Sequence, residues 1–187
     1  MLDGPTPGSA ADQVPAADPV EFARAILLRR LSAAPRSRSE LETDLLKRGV
    51  DPAIATRLLD RFEEVGLVDD ANLARDLVTW RHEGRALARR AISQEMRRRG
   101  IDDDVANDAL ATIDDEAERD RARAFVESKL RSTRGLEPQA RIRRLVGALA
   151  RKGYSPGLAY GVVRDALAAE VSNDVLDAVL VDHDATP

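Results

Sequence analysis

The residues best placed to do chemistry in this chain are arginines. Six lie between Arg85 and Arg99 against the single acid Glu95, and eight cations lie between Lys129 and Lys152 against Glu137 alone. Guanidinium groups at this density suit phosphate oxygens or carboxylates, because arginine presents a planar fork of donors and does not give up its proton. Arg98-Arg99 and Arg151-Lys152, like Lys47-Arg48, occupy the two positions before a glycine. There the negative end of a helix favours cations by about 0.3–1 kcal/mol each. That explanation does not reach Arg85, Arg89 and Arg90, or Arg141, Arg143 and Arg144, which stand near expected helix starts, where a cation is mildly unfavourable. With Arg97, these residues (Arg85, Arg89, Arg90, Arg97, Arg98, Arg99, Arg141, Arg143, Arg144, Arg151 and Lys152) form the candidate set for contact with phosphate or an acidic protein surface.

No catalytic pattern accompanies them. The chain lacks the Gly-x4-Gly-Lys-Ser/Thr loop that cradles nucleotide phosphates, and it has no cysteine to act as a nucleophile or form a disulfide. Its histidines, His82 and His183, fall at a helix end and in an acidic tail, without metal-site spacing. Asp102-Asp103-Asp104 could suggest a divalent ion, but acids in a first helical turn are better explained by the helix dipole. The expectation is a protein that is not an enzyme, with no cofactor and no metal.

The elements that must carry the arginines repeat. Gly49-Val50-Asp51-Pro52, Gly100-Ile101-Asp102-Asp103 and Gly153-Tyr154-Ser155-Pro156 share one order: a helix stop, an apolar residue, an N-cap and a first helical position. Leu41 and Leu45, Ile92 and Met96, and Leu145 and Leu149 stand eight and four residues before each glycine. Ile54 and Leu59, Val105 and Leu110, and Leu158 and Val163 stand five and ten after it. Such agreement of caps and core positions predicts an all-α chain of three tandem three-helix modules. The expected boundaries are a disordered tail at 1–17, modules at 18–68, 69–114 and 115–170, and an acidic tail at 171–187.

Within the modules, Phe22, Ile26, Leu27 and Leu31 make the first inward stripe, and Ser39 with Glu42 resembles a capping box. The Arg-rich helix is expected to start at Arg85 with Leu87, Ala91, Ile92 and Met96 inward. Trp80 is expected to pack between modules, and Val171–Val181 to extend the last helix or form another. No segment has the alternation of a strand.

Charge is segregated. Residues 1–18 carry three acids and residues 168–187 carry five, neither with a base, so the remainder is positive although the whole chain has a formal charge of −4. Local fields, not the overall balance, decide what binds. No basic start with an apolar run marks a signal peptide, and no apolar stretch approaches the roughly 20 residues that span a bilayer. The expected protein is soluble and cytoplasmic, a monomer when free, with no membrane partner.

The segments GLVDDANLARDLVTWR (66–81), GRALARRAISQEMRRRGID (84–102) and RIRRLVGALARKGYSPGLAYGVV (141–163) resemble the RecX family of small bacterial proteins that regulate the RecA recombinase. The resemblance runs over about residues 19–167, with Leu67 departing from a frequent aromatic. It implies an elongated, curved helical-repeat array lying in the groove of a RecA–DNA filament. It also implies inhibition of RecA's ATPase, strand exchange and filament growth in DNA repair and the SOS response. DNA, single-stranded or duplex, would be met through the filament or weakly alone. The alternative is a sequence-independent or helix-turn-helix DNA-binding protein acting without RecA. Its reading helices would be PAIATRLLDRFEEV, DDVANDALATI and PGLAYGVVRDAL, and Asp102–Asp104 would then be pushed into phosphates.

The stop assignment is testable by Gly100→Val. A β-branched residue tolerates positive φ poorly, so the thermal midpoint of the protein should fall by several degrees in calorimetry.

Overall fold

The computed structural model of the chain describes the backbone of residues 18–183 and the side chains of residues 18–172. The expected disordered tail at 1–17 lies outside the described residues, as does the end of the acidic tail. The elements are α1 (Pro19–Ala33), α2 (Arg38–Leu46), α3 (Pro52–Glu64), α4 (Asp70–Val78), α5 (Arg89–Arg98), α6 (Asp103–Leu110), α7 (Asp115–Leu130), α8 (Pro138–Arg151) and α9 (Pro156–His183). Among the described residues there is no strand.

The helix starts follow from their caps. Asp18, Asp51, Asp102 and Asp114 each accept a backbone N–H two or three residues on, at 2.7–2.9 Å. Glu137 does the same for α8 at 3.0 Å, and Ser155 for α9 at 3.3 Å. Prolines open α1, α3, α8 and α9, where an N–H would have no partner. The capping box of α2 is made by Ser37 and Glu40, not by Ser39 and Glu42. The serine two residues earlier has the extended backbone that an N-cap needs, and it is fully buried.

The three stops are built alike. Gly49, Gly100 and Gly153 have φ of +77°, +71° and +92°. The residue after each donates back across the turn: Val50 N to Leu45 O (3.2 Å), Ile101 N to Met96 O (3.1 Å) and Tyr154 N to Leu149 O (3.3 Å). Each of those following residues is buried, so one hydrogen bond and one apolar contact close every stop.

Two compact units are present, the first ending at Leu73 and the second beginning at Ala74. In the first, α1, α2 and α3 surround Ile26, Leu27, Leu41, Leu45, Leu59 and Phe62. Phe22 is 48% exposed, and Ala23 takes the inward position expected of it.

The second unit joins the second and third modules. Ala88, just before α5, belongs to the same core as Val126, Leu145, Leu149, Tyr154 and Val163. Ala88 N donates to Lys152 O (2.9 Å), and Lys152 Nζ donates to Arg85 O (2.6 Å). A Cβ on Gly153 would sit 2.7 Å from Ala91 Cβ and 3.2 Å from Ala91 N. The α8–α9 stop therefore rests directly on the first turn of α5.

The entry to α5 corrects the expected helix start. After α4 the chain continues through a π-helical segment, Thr79–Glu83, and the helical run ends at Arg85. Gly84 stays right-handed at φ −76°, and Ala86 takes the left-handed conformation at φ +51°. Arg85 thus closes the preceding helix instead of opening α5. Leu87 precedes α5, whose buried stripe is Ile92 and Met96. Trp80 is 48% exposed and is not packed away. At the other end, α9 runs unbroken through Val171–Val181.

Gly153→Ala should cost roughly 2–4 kcal/mol in urea unfolding, combining left-handed backbone and a forced overlap with Ala91. Gly49→Ala meets nothing within 4 Å. It should cost only about 1–2 kcal/mol, the left-handed penalty alone.

Candidate partner interface

The candidate cations divide into those the fold uses and those it leaves outward. Arg89, at the first position of α5, is held by α7. Its backbone N donates to Glu118 Oε1 at 2.8 Å, its Nε to Glu118 Oε2 at 3.2 Å and its Nη1 to Ile113 O at 3.1 Å, and its Nη2 also pairs with Asp115. Ala88 offers no side-chain cap, so Glu118 serves α5 as a cap supplied by another helix. Arg141 is engaged in the same way. It donates to Thr133 Oγ1 (3.0 Å), to Leu130 O (3.3 Å) and to Glu170 on α9.

Among the others, Arg97 meets Asp103 at 2.8 Å on the surface, and Arg99 also has a partner. Arg81, outside the candidate set, clasps Glu95 through Nε at 2.8–3.0 Å and holds the only acid of the Arg-rich stretch. Among the described residues no carboxylate hydrogen-bonds Arg85, Arg90, Arg98, Arg143, Arg144 or Arg151, although Arg98 feels the charge of Glu95, and all six are exposed.

Three of these line one open cleft. Arg85, Arg144 and Arg151 surround a space of about 570 Å³ with Lys129 and Lys152, and no carboxylate lines it. Leu87, Leu145 and Ala148 supply its aliphatic part. Phe125 lies in it with Lys152 Nζ 5.3 Å and Lys129 Nζ 5.9 Å from the ring centre, so the ring face holds two ammonium groups. Phe125 and Lys129 were missing from the sequence-derived set. The four-residue spacing of Phe125 and Lys129 on one helix face was the available signal.

The acids behave as the helix dipole requires. Asp102 accepts Asp104 N, and Asp103 pairs with Arg97. Among the described residues no group of three His, Asp or Glu side chains could hold a metal ion. His82, in the π-helical segment, is buried with Nδ1 3.0 Å from Leu87 O, which packs its ring against the turn before α5. Nor, among the described residues, is any helix long and apolar enough to cross a membrane.

Two carboxylates sit below their ordinary range. Arg134, and then Arg141, hold Glu170 down, and Arg81 holds Glu95 down, in each case against the opposing effect of burial. Buried Tyr154 is pushed up to about 12, mainly by desolvation, with Glu118 adding to it. A carboxyl whose folded pKa lies below its unfolded value stabilises the fold above the unfolded value. It loses that contribution as the pH falls through the folded one. Unfolding free energy should therefore decline as pH drops below about 4.5, the ordinary carboxylate value. Glu170→Gln should lower stability at neutral pH by about 1–3 kcal/mol and flatten that decline, read by urea denaturation at stepped pH.

Comparison with known proteins covers most of the chain. Three family descriptions match in order: RecX, first three-helix domain, at 23–62; second, at 69–110; and third, at 116–163. A Regulatory protein RecX of Streptomyces coelicolor is 48% identical over 168 residues, 89% of each chain. One from Thermobifida fusca is 47% identical over 90% of this chain and 89% of its own. One from Mycolicibacterium smegmatis is 43% identical over 88% and 91%. The crystal structure of RecX from Lactobacillus salivarius superposes with a TM-score of 0.70 at 20% identity, covering 80% of this chain and 97% of that one. At that identity the likeness concerns the fold.

Proposed function

The chain belongs to the RecX family, and on that premise we propose that it is a non-enzymatic regulator of the RecA recombinase. It binds the RecA–DNA filament in its groove and mostly inhibits ATP hydrolysis, strand exchange and filament growth during recombinational repair and the SOS response. It acts in the cytoplasm, is a monomer when free, and meets DNA through the filament or weakly alone.

The observation that carries this reading is the set of exposed guanidinium groups that no carboxylate hydrogen-bonds among the described residues: Arg90 and Arg98 on α5, the latter feeling Glu95 only through space, and Arg143 and Arg144 on α8. Arg90 lies in the first turn of α5, where the dipole opposes it, and Arg143 and Arg144 lie in the middle of α8, beyond the dipole's reach, so helix stability accounts for none of them. They suit acidic protein surface or DNA phosphate. The exposed acids Asp102, Asp104 and Asp108 at and on α6 give the opposite sign for basic surface of the partner. Those same acids oppose insertion of α6 into a DNA groove, which disfavours a helix-turn-helix reader.

The test is RecA-dependent ATP hydrolysis on single-stranded DNA with substoichiometric amounts of this protein. Wild-type protein should suppress hydrolysis. Changing Arg90, Arg98, Arg143 and Arg144 together to Ala should raise the concentration needed at least about tenfold, with the melting temperature moving by no more than about 2 °C. An unchanged inhibition curve would reject this face. Binding to bare DNA without binding to filaments would reject the regulator reading itself.

A further inference from the structure

The cleft between the loop before α5, the C-terminal part of α7 and α8 has a chemistry that the regulator reading does not specify. Five cations line it, Arg85, Arg144, Arg151, Lys129 and Lys152, with the neutral Ser132 and Thr133 beside them, and its aliphatic lining comes from Leu87, Leu145 and Ala148. We propose that this cleft binds a short acidic peptide segment, with carboxylates on the arginines and one aliphatic side chain against Leu87 and Ala148.

Two observations favour a peptide over nucleic acid, and a third prepares the site for an anion of either kind. First, the concavity has an aliphatic surface, which a phosphodiester leaves unused but a leucine or valine side chain would remove from water. Second, bases bind single-strand sites by stacking on free aromatic faces. The one aromatic ring in the cleft, Phe125, is already approached by Lys129 and Lys152 at 5.9 and 5.3 Å. Third, Lys152 Nζ is held by Arg85 O at 2.6 Å, so its charge is fixed in place before any ligand arrives. Arg85, Arg144 and Arg151 have no carboxylate of their own among the described residues, and their forks match the two oxygens of an Asp or Glu side chain. A space of about 570 Å³ accommodates a few residues and not a folded domain. The occupant is therefore a linear stretch of the form acid–aliphatic–acid.

The experiment uses the full chain and three acetylated, fluorescein-labelled pentapeptides: Glu-Asp-Leu-Asp-Glu, Gln-Asn-Leu-Asn-Gln and Glu-Asp-Gly-Asp-Glu. A ten-nucleotide oligothymidylate serves as competitor. Fluorescence anisotropy at low salt should give the first peptide a Kd of roughly 10–100 µM, with the neutral peptide at least about tenfold weaker. The glycine peptide should also be about tenfold weaker, reflecting loss of the apolar side chain. Arg144→Glu with Arg151→Glu should weaken the first peptide at least about tenfold while circular dichroism stays unchanged. Arg24→Glu with Arg29→Glu, in the other unit, makes the same change in net charge and should leave binding as it was. Methyl resonances of Leu87 and Ala148 should shift on titration with the first peptide. The site is refuted if Glu-Asp-Leu-Asp-Glu fails to bind, if the glycine peptide binds equally well, or if oligothymidylate shifts those methyls at lower concentration than the peptide. Because no recombinase is present, loss of peptide binding and loss of filament inhibition report separately on this cleft and on the regulator reading.

Discussion

Where the backbone at residue 153 passes over Ala91, there is no space for a side chain, and much of the second unit depends on that closeness. The contact lets the peptide group of Lys152 reach Ala88, lets the ammonium of Lys152 reach Arg85, and seats Ala88 in the core of the third module. The buried cluster of the third module thereby gains Ala88, a residue of the second. For modules of this size that matters, because the buried fraction of the surface rises with the size of the folded body.

Cations at helix starts turn out to have two separate causes. Arg89 and Arg141 are answered by Glu118 with Asp115 and by Glu170, carboxylates brought in from neighbouring helices, so the unfavourable dipole is offset by ion pairs inside the fold. Glu118 does more, since it also takes the N–H of Arg89. Arg90, Arg143 and Arg144 have no such answer among the described residues. Adjacent arginines in one run therefore play opposite parts: one closes the structure, and the next leaves it charged toward whatever it meets.

Local signals carried most of the fold. Gly49, Gly100 and Gly153 each adopt positive φ, and Asp51, Asp102 and Ser155 cap the helices after them, because cap chemistry depends on a few adjacent residues. What escaped notice was set elsewhere. The Arg-rich helix was expected to start at Arg85, but a turn intervenes at Ala86, whose left-handed backbone is flanked by the bonds from Ala86 N to His82 O and from Leu87 N to Arg81 O. Phe22 and Trp80 read as core because apolar side chains usually are, yet Ala23 and the π-helical twist after α4 turned those two outward. The cleft was half legible. Its arginines were visible as a run, but Phe125 and Lys129 belong to a helix some 20 residues before Arg144 and Lys152, and only folding brings them together.

The bond from Ala88 to Lys152 joins peptide groups, not side chains. The bond itself asks only for two peptide groups, so substitutions can accumulate on the exposed faces of either module without uncoupling them. Descendants of such a chain can diverge widely in surface chemistry while their modules keep the same angle and offset within this unit, since the joint is inherited with the backbone.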